Sequence, residues 1–326
     1  MTTATTGLGS GIKAALIVMA LGLGVFASIA TVVAFFGSLW WAFDLMANFR
    51  WQIMWAALLA AIVYALATRG IATFIFIVAV IVNAFVLSPL WFGSQPNGTG
   101  EDGTKVVAID LYGGTDDEEG TLRWMFDSGA DVLIVSGVSS ERLAPIVEDG
   151  SPYQVLVAPE FEDRSGIVVL GAASYAASQD ITPGFAQQIV TVTVPSGAVT
   201  IDLVTAWGEI ATNQSKADAL SERLEAVDAV VSGTDSPVVV IGSLGATRFA
   251  SGMRSLMGST GLRDATEGSG YLSTWPTSDF PVIGGWVGIP LDVVLMSDGV
   301  TPFELVTGPD IGSAHLPVSV VVGPSQ

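Results

Sequence analysis

Ser236 to Ala265 reads S-P-V-V-V-I-G-S-L-G-A-T-R-F-A-S-G-M-R-S-L-M-G-S-T-G-L-R-D-A. Its short apolar run Val238–Ile241 is β-branched and bounded by Pro237 and Gly242, which predicts a buried strand. A helix is expected over Phe249–Met257. The same alternation extends on both sides. Further strands are expected at Val106–Leu111, Val132–Val135, Gln154–Val157, Ile167–Leu170, Ile189–Val194, Val199–Val204, Leu291–Met296 and Val318–Val322. Helical periodicity marks Ser215–Val231, where Leu220, Leu224, Val227 and Val231 share a face and Glu222, Arg223 and Glu225 lie off it. Another helix is expected over Asp116–Ser128, whose acidic start Asp116–Glu119 suits a helix dipole better than a calcium loop. Sheets covered by helices give an α/β layered domain.

The composition is not that of a wholly soluble chain. The 326 residues hold 12 Lys+Arg and 31 Asp+Glu, for a net charge of −19, and only 13% are charged. About 25% is usual for a soluble domain. The deficit lies near the N-terminus, where three spans are expected at 14–38, 51–68 and 71–93, each near the ~20 apolar residues a bilayer requires. Trp40, Trp41, Trp51 and Trp91 stand where interfacial aromatics belong. Lys13 and Arg69 on one side, against Arg50 on the other, predict a cytoplasmic N-terminus and a C-terminal domain outside the cytoplasm. The expected organisation is a membrane domain 1–93, a linker 94–104 and a soluble domain 105–326. Removing Lys13, Arg50, Arg69 and Asp44 leaves 9 basic and 30 acidic residues beyond the membrane part, a net −21.

Several chemistries are excluded at this stage. The chain has no cysteine, hence no disulfide, thiolate nucleophile or Cys-bound zinc. Its one histidine, His315, rules out a multi-His metal site within one chain. An acidic surface is a poor general binder of nucleic acid. The partners expected are therefore the lipid bilayer and a membrane or extracytoplasmic protein, with no nucleic acid.

The order of the segments resembles the endonuclease/exonuclease/phosphatase superfamily over nearly all of Lys105–Val322. Ser236–Ala265 is similar to the family's strand ending in G-D-F-N, its helix and its G-L-x-D-A. Thr274–Pro276 (T-W-P), Ile289–Ser297 (I-P-L-D-V-V-L-M-S) and Gly312–Val318 (G-S-A-H-L-P-V) resemble the later family segments, the last matching S-D-H-x-P-V. Ala130–Glu141 resembles the strand that the family follows with Q-E. The resemblance implies a four-layer sandwich of two packed mixed sheets with outer helices, here preceded by three transmembrane helices.

It also implies metal-assisted phosphoester hydrolysis, for which most of the required side chains are missing. The metal-binding Glu falls on Gly137, and the Asp and Asn of G-D-F-N fall on Ser243 and Gly245. The Asp of S-D-H falls on Ala314, and an internal His falls on Ala206. Asp292 and His315 match the family Asp and terminal His as remnants of the catalytic pair. Asp110, at the first-strand Asn position, is a weak candidate for a metal; read from its own residues, it is a strand-end Asp that caps a turn. A Ser-His-Asp triad would need a convergent serine, and Ser313 is a neighbour of His315 in sequence only. The expectation is a membrane-anchored pseudoenzyme, a binding or scaffolding domain without a cofactor. The alternative is a divalent-metal-dependent phosphodiesterase or phosphatase with an altered site, using Mg²⁺.

Overall fold

Along the strand Thr104–Asp110 (β1), Val106 and Ala108 join one core cluster while Val107 and Ile109 join another. A strand buried on both faces reads as an unbroken apolar run, because neither face needs polar residues. The computed structural model describes residues 5–68, 70–93, 100, 102–112, 114–138, 151–157, 166–172, 178–182, 189–197, 199–276 and 287–325. Arg69, most of the linker (94–99) and the end of the Q-E-like segment (139–141) lie outside them. By internal contacts the chain forms two units: residues 1–89 with 249–251, and residues 90–248 with 252–326.

The second unit holds two six-stranded sheets. The first runs β11 (Val300–Thr307), β12 (Val318–Pro324), β1, β2 (Val132–Val138), β4 (Gly166–Ala172) and β3 (Tyr153–Val157). The second runs β5 (Ser178–Thr182), β6 (Ile189–Ser196), β7 (Val199–Ala206), β8 (Val238–Ser243), β10 (Asp292–Met296) and β9 (Arg263–Asp264). Each sheet has one parallel pair at its centre, β1/β2 and β7/β8, and antiparallel neighbours elsewhere. Parallel neighbours need a crossover. The helices Glu118–Asp127 (α6) and Gln214–Ser232 (α7) lie within those two crossovers. The two halves therefore repeat one plan.

Inner faces of both sheets interlock in a single core. Ile134, Ile167 and Val320 from the first meet Val192, Leu203, Ile241 and Val294 from the second. Met125 of α6 packs with Val107, Leu133 and Leu170 on the first sheet's outer face. Full burial of each such side chain stabilises the fold by about 1.5–3 kcal/mol. The architecture is α/β with two mixed sheets, as expected.

Local chemistry sets the helix ends. Asp117 caps α6, its Oδ1 accepting the Gly120 N–H at 2.9 Å, with Glu118 and Glu119 in the first turn. Asn213 caps α7 through the Lys216 N–H at 3.0 Å. Leu220, Leu224, Val227 and Val231 are buried, but so is Arg223. That residue lies inside rather than off the apolar face, because its Nη1 donates to the Leu244 carbonyl at 2.8 Å. A third helix, Ser251–Thr260 (α8), occupies the predicted position two residues late.

The first unit is helical: α1 (Thr5–Val33), α2 (Trp41–Asn48), α3 (Arg50–Thr68) and α4 (Ala72–Leu87), followed by a single turn α5 (Pro89–Phe92). Small residues bring the helices together: Ala27 and Ala30 of α1, Ala57 of α3 and Ala79 of α4 form one cluster. Gly24 lies against the Phe76 ring. Among the described residues two helices are long and apolar enough to cross a membrane, Gly11–Val33 and Arg50–Thr68. The third expected span is corrected. Helix α4 has 16 residues, about 24 Å at 1.5 Å each, short of a ~30 Å hydrocarbon core. Pro89 explains its end, since proline offers no N–H and clashes with the preceding turn.

Candidate functional site

The carboxyl ends of the four central strands supply the site. Asp110 ends β1, Gly137 lies near the end of β2, Ala206 ends β7 and Ser243 ends β8. Asp292 begins the antiparallel neighbour of β8, directly opposite Ser243 in the ladder. His315 lies in the loop before β12.

Three of these residues meet. His315 Nδ1 lies 2.8 Å from Asp292 Oδ2, and Nε2 lies 3.7 Å from Asp110 Oδ2. All three are buried. Asp110 Oδ1 accepts the Tyr112 N–H at 2.8 Å, so it does cap the turn after β1. Its Oδ2 accepts the indole N–H of Trp207 at 2.8 Å. The Trp207 ring packs on Tyr112, with centroids 4.5 Å apart. Tyr112 Oη in turn donates to Glu209 at 2.7 Å, and Glu209 pairs with Lys216. Loops from the two sheets are thus tied together over Asp110.

The T-W-P segment positions the opposite side. Thr274 Oγ1 accepts the N–H groups of Leu291 and Asp292, both at 3.1 Å, and its carbonyl accepts Leu316 N–H at 2.8 Å. One buried threonine therefore fixes both the start of β10 and the His315 loop. Ser313 is no nucleophile for His315: its hydroxyl donates to the Asp110 carbonyl and accepts the His315 backbone N–H.

Burial shapes the charges. Loss of solvent pushes the Asp110 carboxyl above its ordinary value, and the Asp292 charge adds to this; His315 and the two N–H donors oppose it. For His315, burial alone would lower the imidazole, but the charges and hydrogen bond of Asp292, helped by Asp110, raise it overall. Arg223 is lowered to about 10 by burial, with Glu209 opposing.

Two of the substituted positions are closed by backbone. Gly137 sits at a bulge between Ser136 and Val138 with φ +76°, and a Cβ there would lie 2.3 Å from the Tyr112 nitrogen. Gly245 has φ +86°, and its Cβ would lie 2.4 Å from the Glu209 carbonyl oxygen. Real Cβ atoms do not approach that closely. Ser243 and Ala206 are buried, and Ala314 links Ser313 to His315.

One ligand atom each from Asp110, Asp292 and His315 all fall within 4.8 Å of one another, a spacing one ion could bridge. They do not fit the magnesium that the fold implies. Mg²⁺ requires near-octahedral oxygen ligands. Gly137, Ser243 and Gly245 bring no carboxylate or amide, both Asp110 oxygens already accept N–H groups, Asp292 Oδ2 is engaged by His315, and His315 itself offers an imidazole rather than an oxygen.

Sequence reasoning missed Trp207, Tyr112, Thr274 and Arg223. Trp207 carried the one usable signal: it is the only side-chain donor immediately after Ala206, where the resemblance puts a histidine.

No protein-family model matches the chain, and neither does any curated protein. Solved structures do. Truncated Caenorhabditis elegans TDP2 matches with TM-score 0.52 and 16% identity over 69% of this chain and 99% of that one. An endonuclease/exonuclease/phosphatase from Beutenbergia cavernae gives 0.51 and 13% over 68% and 72%. The human Nocturnin catalytic domain with bound sulfate gives 0.51 and 12% over 68% and 94%. Taken with the paired six-stranded sheets, these likenesses show that the chain carries the fold of the endonuclease/exonuclease/phosphatase superfamily.

Proposed function

We propose that this is a membrane-anchored protein whose superfamily domain has given up metal-dependent phosphoester hydrolysis and serves as a binding or scaffolding module. The observation that carries the reading is the backbone at Gly137 and Gly245. Positive φ and Cβ distances of 2.3 and 2.4 Å leave no room there for the Glu and Asn of the family pattern. These are losses of space as well as of side chains. Anchoring is supported by the apolar outward faces of the helices, among them Val18, Phe26 and Ile29 of α1 and Leu59, Ile62 and Leu66 of α3. Two spans return the chain to the side of its N-terminus, so the charge bias of Lys13 and Arg69 against Arg50 no longer carries the domain across the membrane; for so acidic a domain a partner would be a membrane protein rather than nucleic acid.

A second reading draws on the buried Asp110–His315–Asp292 cluster, which would serve an altered phosphodiesterase. The two are separated by assaying the detergent-solubilised chain on a phosphodiester with Mg²⁺ or Mn²⁺. The proposal requires no turnover above background. Turnover abolished by chelation would establish the alternative.

A further inference from the structure

Asp110 and Asp292 are two carboxylates held close together away from water. Such a pair is unfavourable unless something positive, or a set of donors, stands between them. In a metal-assisted phosphoesterase that role falls to the cation. In this chain the space is furnished by N–H groups. Asp110 takes the Tyr112 amide at Oδ1 and the Trp207 indole at Oδ2, each at 2.8 Å. His315 stands between the carboxylates, 2.8 Å from Asp292 Oδ2 and 3.7 Å from Asp110 Oδ2. An ion between these groups would have to displace the indole or the imidazole.

We infer that His315, assisted by the Trp207 indole, is the built-in counter-charge of the Asp110–Asp292 pair and stands in the place of a divalent cation. The inference rests on the metal-independent reading proposed above. Burial opposes a charged ring, but the two carboxylates outweigh it. Among the described residues the charged and titratable groups around His315 are few. Asp292 faces it from β10 and Asp110 from β1. Tyr112, Glu209 and Lys216 stand beyond Asp110. Arg248 and Asp264 line a small cavity on which Asp292 also borders. Trp275 presents an aromatic ring 6.3 Å from the imidazole. The charges in direct contact with the ring are both negative.

Because His315 is the only histidine, selective ¹⁵N-histidine labelling of the full chain in detergent reports this ring alone. The inference expects both ring nitrogens protonated at neutral pH, a titration midpoint above the ordinary histidine value, and no line broadening on adding Mn²⁺. Asp110→Asn should move the midpoint back toward the ordinary value. A ring that is neutral at neutral pH, or one broadened by Mn²⁺, overturns the inference. The two proposals fail separately. A charged ring in a chain that hydrolyses phosphodiesters would sink the proposed function only; a neutral ring in an inert chain would sink only this inference.

Discussion

At the scale of the residue, Gly137 and Gly245 decide more than Asp292 and His315 do. The sequence shows that ligands are missing, but not that the backbone has moved into their place; that depends on the bulge after Ser136 and on the Glu209 carbonyl. Gly137→Ala should therefore destabilise the domain by at least the ~1–3 kcal/mol of a strained left-handed residue, read as a lower midpoint in thermal unfolding. Gly258→Ala is the control: it lies in α8 with open space around it and should be neutral or stabilising by up to about 1 kcal/mol. For the same reason, Gly137→Glu with Ser243→Asp, Gly245→Asn and Ala314→Asp should not restore metal binding by calorimetry. The raised Asp110 and His315 make a pH prediction. Both hold protons more tightly folded than unfolded, so both favour folding at low pH, and that contribution is lost as pH rises. For His315 it is full below 6.5 and disappears as pH passes through the higher folded value. His315→Gln should flatten this part of the stability–pH curve; an unchanged slope above 6.5 would count against the charge assignment.

At the scale of the element, the strands most legible in the sequence are those buried on both faces. Every predicted strand is present within three residues of its expected bounds, and all but the edge strand β3 are central, where a strand must be apolar whatever its neighbours. Three strands were not legible: β5, β9 and β11. All three lie at the ends of their sheets or at edges. There one side has no ladder partner, so polar residues and Pro302 of β11 are tolerated. The capping side chains Asp117 and Asn213 come from the structure alone, and their removal has a known scale: Asn213→Ala should cost about 1 kcal/mol, measured by chemical denaturation. In the helical unit, Gly24 is the tight point, since a Cβ would fall within 2.4 Å of the Phe76 ring. Gly24→Leu should loosen the α1–α4 packing by about 1–3 kcal/mol. Combined with Phe76→Ala it should cost less than the two changes added together; additivity would show that the two residues do not compete for the same space.

At the scale of the whole molecule, the fold was readable because order and spacing survive when individual site residues do not. The site was readable only in part: Asp110, Asp292 and His315 are motif positions, whereas Trp207 reaches Asp110 across 97 residues of sequence. Both sheets are complete within the second unit, so a fragment 96–326 should fold cooperatively by itself; a fragment that unfolds without a sharp transition would contradict that. A reporter fused after Gln326 should register on the same side as the N-terminus if Gly11–Val33 and Arg50–Thr68 are the two crossings; registration on the opposite side would show that α4 crosses as well. The most direct test of the account is hydrolysis of a phosphodiester by the full-length chain in detergent with Mg²⁺ or Mn²⁺. Removing one stabiliser of transition-state charge typically slows an enzyme about 100- to 1000-fold, and five family positions are changed here: Gly137, Ala206, Ser243, Gly245 and Ala314. The account predicts no turnover above background, unaltered by Asp292→Ala or His315→Ala. Robust turnover that disappears on chelation and on His315→Ala would contradict it.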